Sequence, residues 1–265
     1  MTSDPQAPRA AAATARLVTV ARLLGVVPAV LVGVLLAVFV SWWLGLLVLA
    51  LLVGGWLAWV EHRRRTAVAR TLAAIGPSLA CDGTHPRWEN VVDGLCTTTG
   101  VSGPELRVVD APVANAAAVA HGGRVVLVVT SGLADDLTQI ELEAVGANLL
   151  TRVRTGVAEL ATMAVGLPGP GPAASGFVTR TLVDGLGDQH AVRSDLDAAG
   201  LTRYPPGVAR ALRRLDAQGT EIPGALPVTA PLWLAPVVGA DRVPPSVAAT
   251  VMQPTGLRVA VVEEL

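Results

Sequence analysis

A long stretch without charge near the start of the chain constrains its fold more than any other feature. No charged residue occurs between Leu23 and Val60. A helix needs about 20 residues to cross the core of a bilayer, so this run is too long for one span and close to two short ones. Two tryptophans follow Ser41 at its midpoint, and tryptophan favours the membrane interface. We therefore predict a transmembrane helical hairpin over residues 21–60.

The arginines around this hairpin predict its orientation. They are Arg9, Arg16 and Arg22 on one side, and Arg63, Arg64, Arg65 and Arg70 on the other. Since positive residues stay on the cytoplasmic side, both ends of the chain should face the cytoplasm from a cell (inner) membrane. We expect residues 1–20 to be a mobile tail and residues 61–265 to form a cytoplasmic domain. The lipid bilayer is the first predicted partner.

Composition excludes several other classes of protein. The hydrophobic fraction is 52% and the charged fraction only 15%, whereas ordinary soluble domains are about a quarter charged. A net charge of −1 gives no general electrostatic basis for binding nucleic acid. The two cysteines, Cys81 and Cys96, are too few for a disulfide framework. We interpret them as structural thiols in a reducing compartment.

The cytoplasmic part mixes helical and extended patterns. Short apolar runs predict strands near residues 106–110, 115–120 and 125–130, the last two joined by a Gly-Gly turn. Helical patterns cover residues 61–80, 87–99, 177–200 and 207–217. We therefore expect an α+β fold, in which helices pack on a small antiparallel sheet behind the membrane hairpin.

One helix is marked clearly by its first turn. Thr138 and Glu141 have the spacing of a capping box, and apolar residues at helical spacing carry the helix on to about Gly156. The next 11 residues, 157–167, are apolar but too few to span a bilayer, so they lie either on the membrane or in the core. A Gly- and Pro-rich linker is expected over residues 166–176.

Six segments follow one another in a recognisable order: Pro104–Asp110, Asn115-Ala116, Val125–Leu133, Glu141–Val145, Leu201–Gly207 and Ala230–Leu234. Together they resemble the HtpX-like family of membrane-bound zinc metallopeptidases. The resemblance implies an N-terminal membrane hairpin followed by a metallopeptidase-like domain of the gluzincin type. It covers residues 20–265 approximately.

The resemblance also implies where zinc ligands would lie. The family's H-E-x-x-H motif aligns with residues 148–152, which places Asn148 and Arg152 at the two histidines and Leu149 at the general base. The glutamate of a later R-E-x-x-A-D motif aligns with Ala191, and only its final aspartate, Asp195, is retained. Residues 135–165 contain no histidine, so another alignment of this helix does not restore the motif.

These substitutions remove the chemistry that the family motif supplies. Zinc is held by His, Cys or carboxylate side chains, and a leucine cannot accept the proton of a metal-bound water. We therefore predict a pseudoenzyme without zinc or another cofactor, which acts by binding or regulation. The alternatives are an active zinc peptidase with a non-standard site, and a structural subunit of a membrane complex.

The sequence offers two further candidate sites, one for a peptide and one for a metal. A strand formed by Val125, Val126, Leu127, Val128 and Val129 would be an exposed sheet edge, able to bind an extended protein or peptide partner by strand addition. Carboxylates and a histidine at Asp184, Asp188, His190 and Asp195 offer a replacement metal site. A solvated acidic helix face explains that second group more simply.

Overall fold

The computed structural model describes residues 6–167 and 172–265. The helices are α1 (Gln6–Phe39), α2 (Trp42–Arg65), α3 (Ala67–Ile75), α4 (Pro86–Thr99), α5 (Ser131–Asp136), α6 (Gln139–Arg154), α7 (Val157–Gly166), α8 (Pro172–Leu186), α9 (His190–Thr202), α10 (Pro205–Gln218), α11 (Pro245–Val251) and α12 (Thr255–Glu263). The strands are β1 (Leu79–Ala80), β2 (Glu105–Val109), β3 (Ala116–His121) and β4 (Arg124–Thr130). Short 3₁₀ turns lie at Pro227–Leu232 and Ala240–Arg242.

Helices α1 and α2 form the predicted hairpin, with the break at residues 40–41. Both are long and apolar enough to cross a membrane. They approach closely where Gly45 faces Ala37, since a Cβ on Gly45 would lie 2.5 Å from the Ala37 backbone nitrogen. At the other end of the hairpin the Trp56 indole N–H donates to the Ala21 carbonyl over 3.0 Å. Close backbone approach through small residues is typical of helices packed in a membrane.

The prediction of a mobile tail is wrong for residues 6–20. These residues belong to α1, and Ala10, Ala13 and Leu17 are at most 8% exposed. They pack against α7 and α8. Burial of apolar side chains therefore holds this segment on the domain, although its small residues and proline had suggested a mobile tail. Residues 1–5 of the predicted tail lie outside the described residues.

The sheet is mixed, so the prediction of an antiparallel sheet is only partly right. Its strand order is β1-β2-β4-β3. Strand β4 runs antiparallel to β3 but parallel to β2, so the hairpin of β3 and β4 joins the rest of the sheet through β4. The expected edge at Val125–Val129 is also wrong. Val126–Val129 are fully buried, and an unbroken apolar run of this kind is typical of an interior strand covered on both faces.

The outer edge of β3 is covered by the chain itself. Ala117 forms an antiparallel bridge with Trp233, and the Leu234 N–H donates to the Ala116 carbonyl over 2.7 Å. Asn115, just before β3, donates to the carbonyls of Thr220 and Ala235. These bonds tie residues 220–235, called the C-terminal segment below, to the sheet edge that the hairpin of β3 and β4 would otherwise leave open.

Helices cover both faces of the sheet. Leu127 and Val129 of β4 face one apolar core with α4 and α6, while Val126 and Val128 face a second core with α3 and α7. Residues 157–166 therefore form a core helix, since Leu160, Ala161 and Met163 in α7 are fully buried. This resolves the choice between membrane surface and core in favour of the core.

Two predicted helices are divided in the structure. The pattern over residues 61–80 contains the end of α2, the separate helix α3 and the short strand β1. The pattern over 177–200 contains α8 and α9, separated where Gly187 and Gln189 have positive φ angles of 73° and 59°. Helix α8 begins at Pro172, inside the predicted linker, and residues 168–171 of that linker lie outside the described residues. The helices predicted at 87–99 and 207–217 are confirmed as α4 and α10.

Candidate functional site

Helix α6 runs through the middle of the domain and carries three predicted site residues, Asn148, Leu149 and Arg152. Its N-terminus has the predicted capping box, in which Glu141 accepts from the Thr138 backbone N–H over 2.8 Å. The helix packs on α4, α9, α10 and β3, so it is enclosed on most sides. Consequently even its polar residues Asn148 and Arg152 are only 2% exposed.

A buried ion pair lies beside the centre of α6. Arg258 of α12 donates its Nε to one carboxylate oxygen of Asp195 over 2.7 Å and its Nη2 to the other over 2.9 Å. Asn148 donates its Nδ2 to Asp195 over 2.9 Å, and Arg258 also donates Nη1 to the Leu234 carbonyl over 2.9 Å. Bidentate arginine–carboxylate pairs are strong and orient both partners. This network therefore joins α6, α9, α12 and the C-terminal segment.

Arg152 is a second buried cation, and no carboxylate among the described residues forms an ion pair with it. It donates Nη1 to the Leu232 carbonyl over 3.0 Å and Nη2 to the Pro231 carbonyl over 2.6 Å. Burial, assisted by the nearby charge of Arg258 and opposed by that of Asp195, lowers the pKa of Arg152 to about 10. At neutral pH the guanidinium still carries its charge. The two arginines and one aspartate therefore leave a local charge of about +1.

A small cavity of about 10 Å³ lies among these groups. Its lining residues are Asn148, Arg152, His190, Ala191, Ser194, Trp233, Leu234, Val251 and Arg258. Three polar atoms of these lining residues are buried without a hydrogen-bond partner among the described residues: Asn148 Oδ1, Arg152 Nε and His190 Nδ1. Such atoms are rare in folded proteins, because an unpaired buried polar group costs roughly 1–3 kcal/mol.

His190 is the titratable group on this cavity wall. It is 3% exposed at the start of α9. Burial is the main reason that its pKa lies well below the ordinary value, and the positive charges of Arg152, Arg258 and Arg193 add to the shift. The imidazole is therefore neutral around pH 7, and one of its nitrogens can accept a hydrogen bond.

The structure brings three of the predicted site residues together. Asn148, Arg152 and Ala191 line the same cavity, and Asp195 contacts it through its hydrogen bond to Asn148. Leu149 is not among the lining residues. It is fully buried and belongs to the apolar core on the α6 face of the sheet.

The other predicted residues lie elsewhere. The strand Val125–Val129 is interior, as described above, and does not present a free edge. Asp184 lines a separate surface pocket with Arg9 and Arg16 of α1. Over the described residues no group of three or more His, Cys, Asp or Glu side chains is placed to hold a metal ion, so the structure does not support a replacement site built on Asp184, Asp188, His190 and Asp195.

The side chains around the cavity do not fit a zinc ion. His190 is the only lining residue of a type that commonly binds zinc. Two guanidinium groups lie on the same walls, and their positive charge opposes a divalent cation. We therefore derive no reaction step through a metal at this position.

Sequence reasoning missed Arg258 entirely. This residue lies within an otherwise apolar run from Gly256 to Val262. Its isolated charge in that run was the available sequence signal for a buried ion pair. A charge on the buried side of a short helix is expected to have a partner. The partner, Asp195, is 63 residues away in the chain, and no local pattern identifies it.

Comparison with known proteins supports one family. The chain is 31% identical to a protein named Protease HtpX homolog from Dictyoglomus thermophilum over 178 residues, which are 55% of this chain and 59% of that protein. It is 27% identical over 183 residues to a protein of the same name from Tropheryma whipplei, covering 57% of this chain and 63% of the relative. The chain thus matches about three-fifths of the length of these curated relatives. No protein-family model matches it, and no solved structure matches it significantly.

Proposed function

We propose that this chain, which is similar to HtpX homologues, is a membrane-anchored HtpX-like protein without zinc-dependent peptidase activity. It would act as a pseudoenzyme that binds or regulates a protein or peptide partner. The family likeness and the two helices long enough to span a bilayer support the membrane and peptidase-like parts of this proposal. The loss of catalysis and the binding role are our inference.

The cavity on α6 is the observation that carries this proposal. The alignment with the family motif assigns Asn148, Arg152 and Ala191 to the positions of metal ligands, and these residues line one cavity. In that alignment a guanidinium, which two backbone carbonyls hold in this protein, replaces the second histidine. An amide, a guanidinium and a methyl group provide neither a zinc site nor a base for a water nucleophile.

Metal analysis of the purified full chain in detergent tests the proposal directly. We expect less than about 0.1 equivalents of zinc after purification without chelator, and no chelator-sensitive cleavage of an unfolded protein substrate. Stoichiometric zinc together with chelator-sensitive proteolysis would show instead that the chain is an active peptidase with a non-standard site.

A triple variant tests the alignment itself. Asn148→His, Arg152→His and Ala191→Glu place two imidazoles and a carboxylate on the walls of the cavity, which is the ligand set of a gluzincin. Leu149 is left unchanged because a glutamate in the apolar core would destabilise the fold. We expect the folded triple variant to bind zinc with a 1:1 ratio. A folded variant that binds none would contradict the assignment of these positions to a former metal site.

The partner would not bind by strand addition at β4. That strand is paired on both sides, and the Trp233–Leu234 segment covers the outer side of β3. We propose a protein or peptide partner that contacts the surface of the cytoplasmic domain or the hairpin. Affinity purification in mild detergent distinguishes the roles, because a fixed stoichiometric complex indicates a structural subunit and a transient, exchangeable partner indicates regulation.

The proposed orientation places both termini and the domain in the cytoplasm. The arginines at both ends of the hairpin support this orientation. Reporter domains that are active only in the cytoplasm, fused in turn to the N- and C-terminus, should both be active. A reporter inserted at the turn near Ser41 should be inactive and serves as the matched control.

A further inference from the structure

We propose that the hairpin binds one anionic phospholipid, with an acyl chain in a groove between α1 and α2 and the phosphate beside Arg22. This inference rests on the proposed membrane anchorage and is independent of the proposed loss of catalysis. Two features at the same end of the hairpin carry it, namely an apolar groove on the hairpin surface and a cluster of arginines.

The groove has the size of one acyl chain. Its volume is about 400 Å³, and a methylene group occupies roughly the volume of a water molecule, about 30 Å³, so about a dozen methylene groups fit. A further helix, about 10 Å across, would place only its side chains there. The lining residues are Leu24, Gly25, Pro28, Ala29 and Val32 of α1 and Leu52 and Trp56 of α2.

Trp56 forms the end of the groove nearest the cytoplasmic domain. Its ring lies on Gly25, where a Cβ would clash with it, and it stacks on Trp59 with 4.9 Å between the ring centroids. Its indole N–H donates to the carbonyls of Ala21 and Arg22 over 3.0 and 3.2 Å. Since tryptophan favours the membrane interface, this end of the groove is expected at the depth of the lipid headgroups.

Several arginines lie beside this end of the groove. Arg22 precedes Leu24 of the groove by two residues, and its Nη2 lies 3.7 Å from Glu61 Oε2. Glu61 also pairs with Arg64 and Arg65, over 2.9 Å in each case. One carboxylate is thus shared by three guanidinium groups.

The cluster keeps a positive charge that a phosphate can reach. Arg63 lies over the Trp59 ring at 5.1 Å from its centroid, so four arginines and Glu61 together leave three positive charges. The side chains of Arg22 and Arg65 are 51% and 76% exposed. Basic clusters directly beyond the end of a transmembrane helix attract anionic lipids, by about 1 kcal/mol for each Arg or Lys.

A second copy of this chain fits the groove less well than a lipid does. Two copies inserted in the same orientation would bring the same arginines to the same depth, where like charges repel. An anionic phospholipid instead supplies an acyl chain for the groove and a negative charge at the level of Arg22. Charge and shape therefore favour the lipid.

Native mass spectrometry of the full chain in mild detergent tests the site. The probes are phosphatidylglycerol and phosphatidylcholine, each with two oleoyl chains. We expect one phosphatidylglycerol to bind about fivefold more tightly than phosphatidylcholine, and glycerol phosphate, which has no acyl chain, not to compete. Equal affinity for the two lipids, or effective competition by glycerol phosphate, would overturn the proposal.

Two pairs of variants separate the groove from the charge. Val32→Phe fills the groove, whereas Val30→Phe is its control, because both valines are 41% exposed and Val30 is not a lining residue. We expect Val32→Phe to weaken phosphatidylglycerol binding at least about threefold through lost packing. Arg22→Gln should weaken it about fivefold, and the exposed Arg210→Gln on α10 is its control. Site variants that bind the lipid as well as their controls would contradict the site.

A second measurement uses the unmodified protein in membranes, in case a variant fails to fold. Phosphatidylglycerol with a photoreactive group in its acyl chain should label peptides that contain residues 24–32 and 52–56. Labelling elsewhere alone, or a co-purified protein occupying the groove, would overturn the inference. Alkaline extraction of the same membranes tests the anchorage separately: a chain that resists extraction but is not labelled contradicts the lipid site alone, whereas a chain that is released contradicts both.

Discussion

Arg258 and Asp195 form a bidentate ion pair in which both side chains are at most 2% exposed. The pair joins α12 to α9, two helices that are distant in the chain. Asp195 also accepts a hydrogen bond from the Asn148 amide of α6, so one carboxylate connects three helices. The arrangement makes Asp195 more important for stability than its single negative charge suggests.

Asp195→Asn should lower the free energy of unfolding by about 3–5 kcal/mol, because it leaves the buried Arg258 without a counter-charge. Chemical denaturation in detergent measures this loss. The control is Glu105→Gln, which removes a half-buried surface partner of Arg107 and Arg124 and should cost less than about 1 kcal/mol. A loss below 1 kcal/mol for Asp195→Asn would contradict the buried pair.

His190 should make stability depend on pH. Its pKa is lowered in the folded state by burial and by neighbouring arginines, so the unfolded chain takes up a proton near pH 6.5 while the folded chain stays neutral. The free energy of unfolding therefore falls as pH drops below 6.5, by up to about 1.4 kcal/mol per pH unit for this group. Stability measured between pH 7.5 and 5 should show this slope, and His190→Gln should reduce it.

The matched control for this experiment is His62→Gln, because His62 is exposed. This variant should retain the slope of the unmodified protein. A slope that is the same in the unmodified protein and His190→Gln would show that other groups cause the pH dependence.

The close approach of α1 and α2 should not tolerate larger side chains. Gly45→Ala places a methyl group against the Ala37 backbone, and overpacking of this kind costs about 1–3 kcal/mol. Gly54→Ala is the control, since a Cβ there has no neighbour within 4 Å and alanine favours helix slightly. The temperature at which the detergent-solubilised protein loses its fold should fall for Gly45→Ala only. Equal effects of both variants would argue against the observed helix register.

The two cysteines should differ in reactivity. Cys81 is 2% exposed, and burial, assisted by Glu89 and Asp82, raises its pKa to about 11. Only a very small fraction is thiolate at pH 8, so alkylation of the folded protein should be slow at Cys81. The half-buried Cys96 should react first, as mass spectrometry of iodoacetamide adducts can show. Rapid modification of Cys81 in a folded sample would indicate that the loop before α4 opens.

The elements with local signals were predictable from the sequence. The charge-free run predicts two long apolar helices, and the Thr138–Glu141 capping box correctly gives the start of α6. Strand β2 is likewise found within about one residue of its predicted position. In each case, the decisive interactions lie within one turn of helix or one strand.

The order of the strands was not predictable in the same way. Placing β4 between β2 and β3 depends on pairing between distant segments, and the sequence offers only an unbroken apolar run as a signal. The same limit applies to the cavity. Asn148, Arg152 and Ala191 were selected by resemblance, but the partners that determine their environment, Arg258 and the Pro231 and Leu232 carbonyls, lie much later in the chain.

The continuous helix α1 has a mechanical consequence. It is 34 residues long, or about 50 Å, and its first turns pack on α7 and α8 while its later turns are apolar enough to cross a bilayer. The helix is unbroken between these two parts, and Pro28, a residue type that bends helices, lies in its later part. If α1 spans the membrane, the domain that contains the polar cavity cannot rotate freely relative to the bilayer. A change in bilayer thickness that tilts α1 would then change the height and angle of this domain above the lipid.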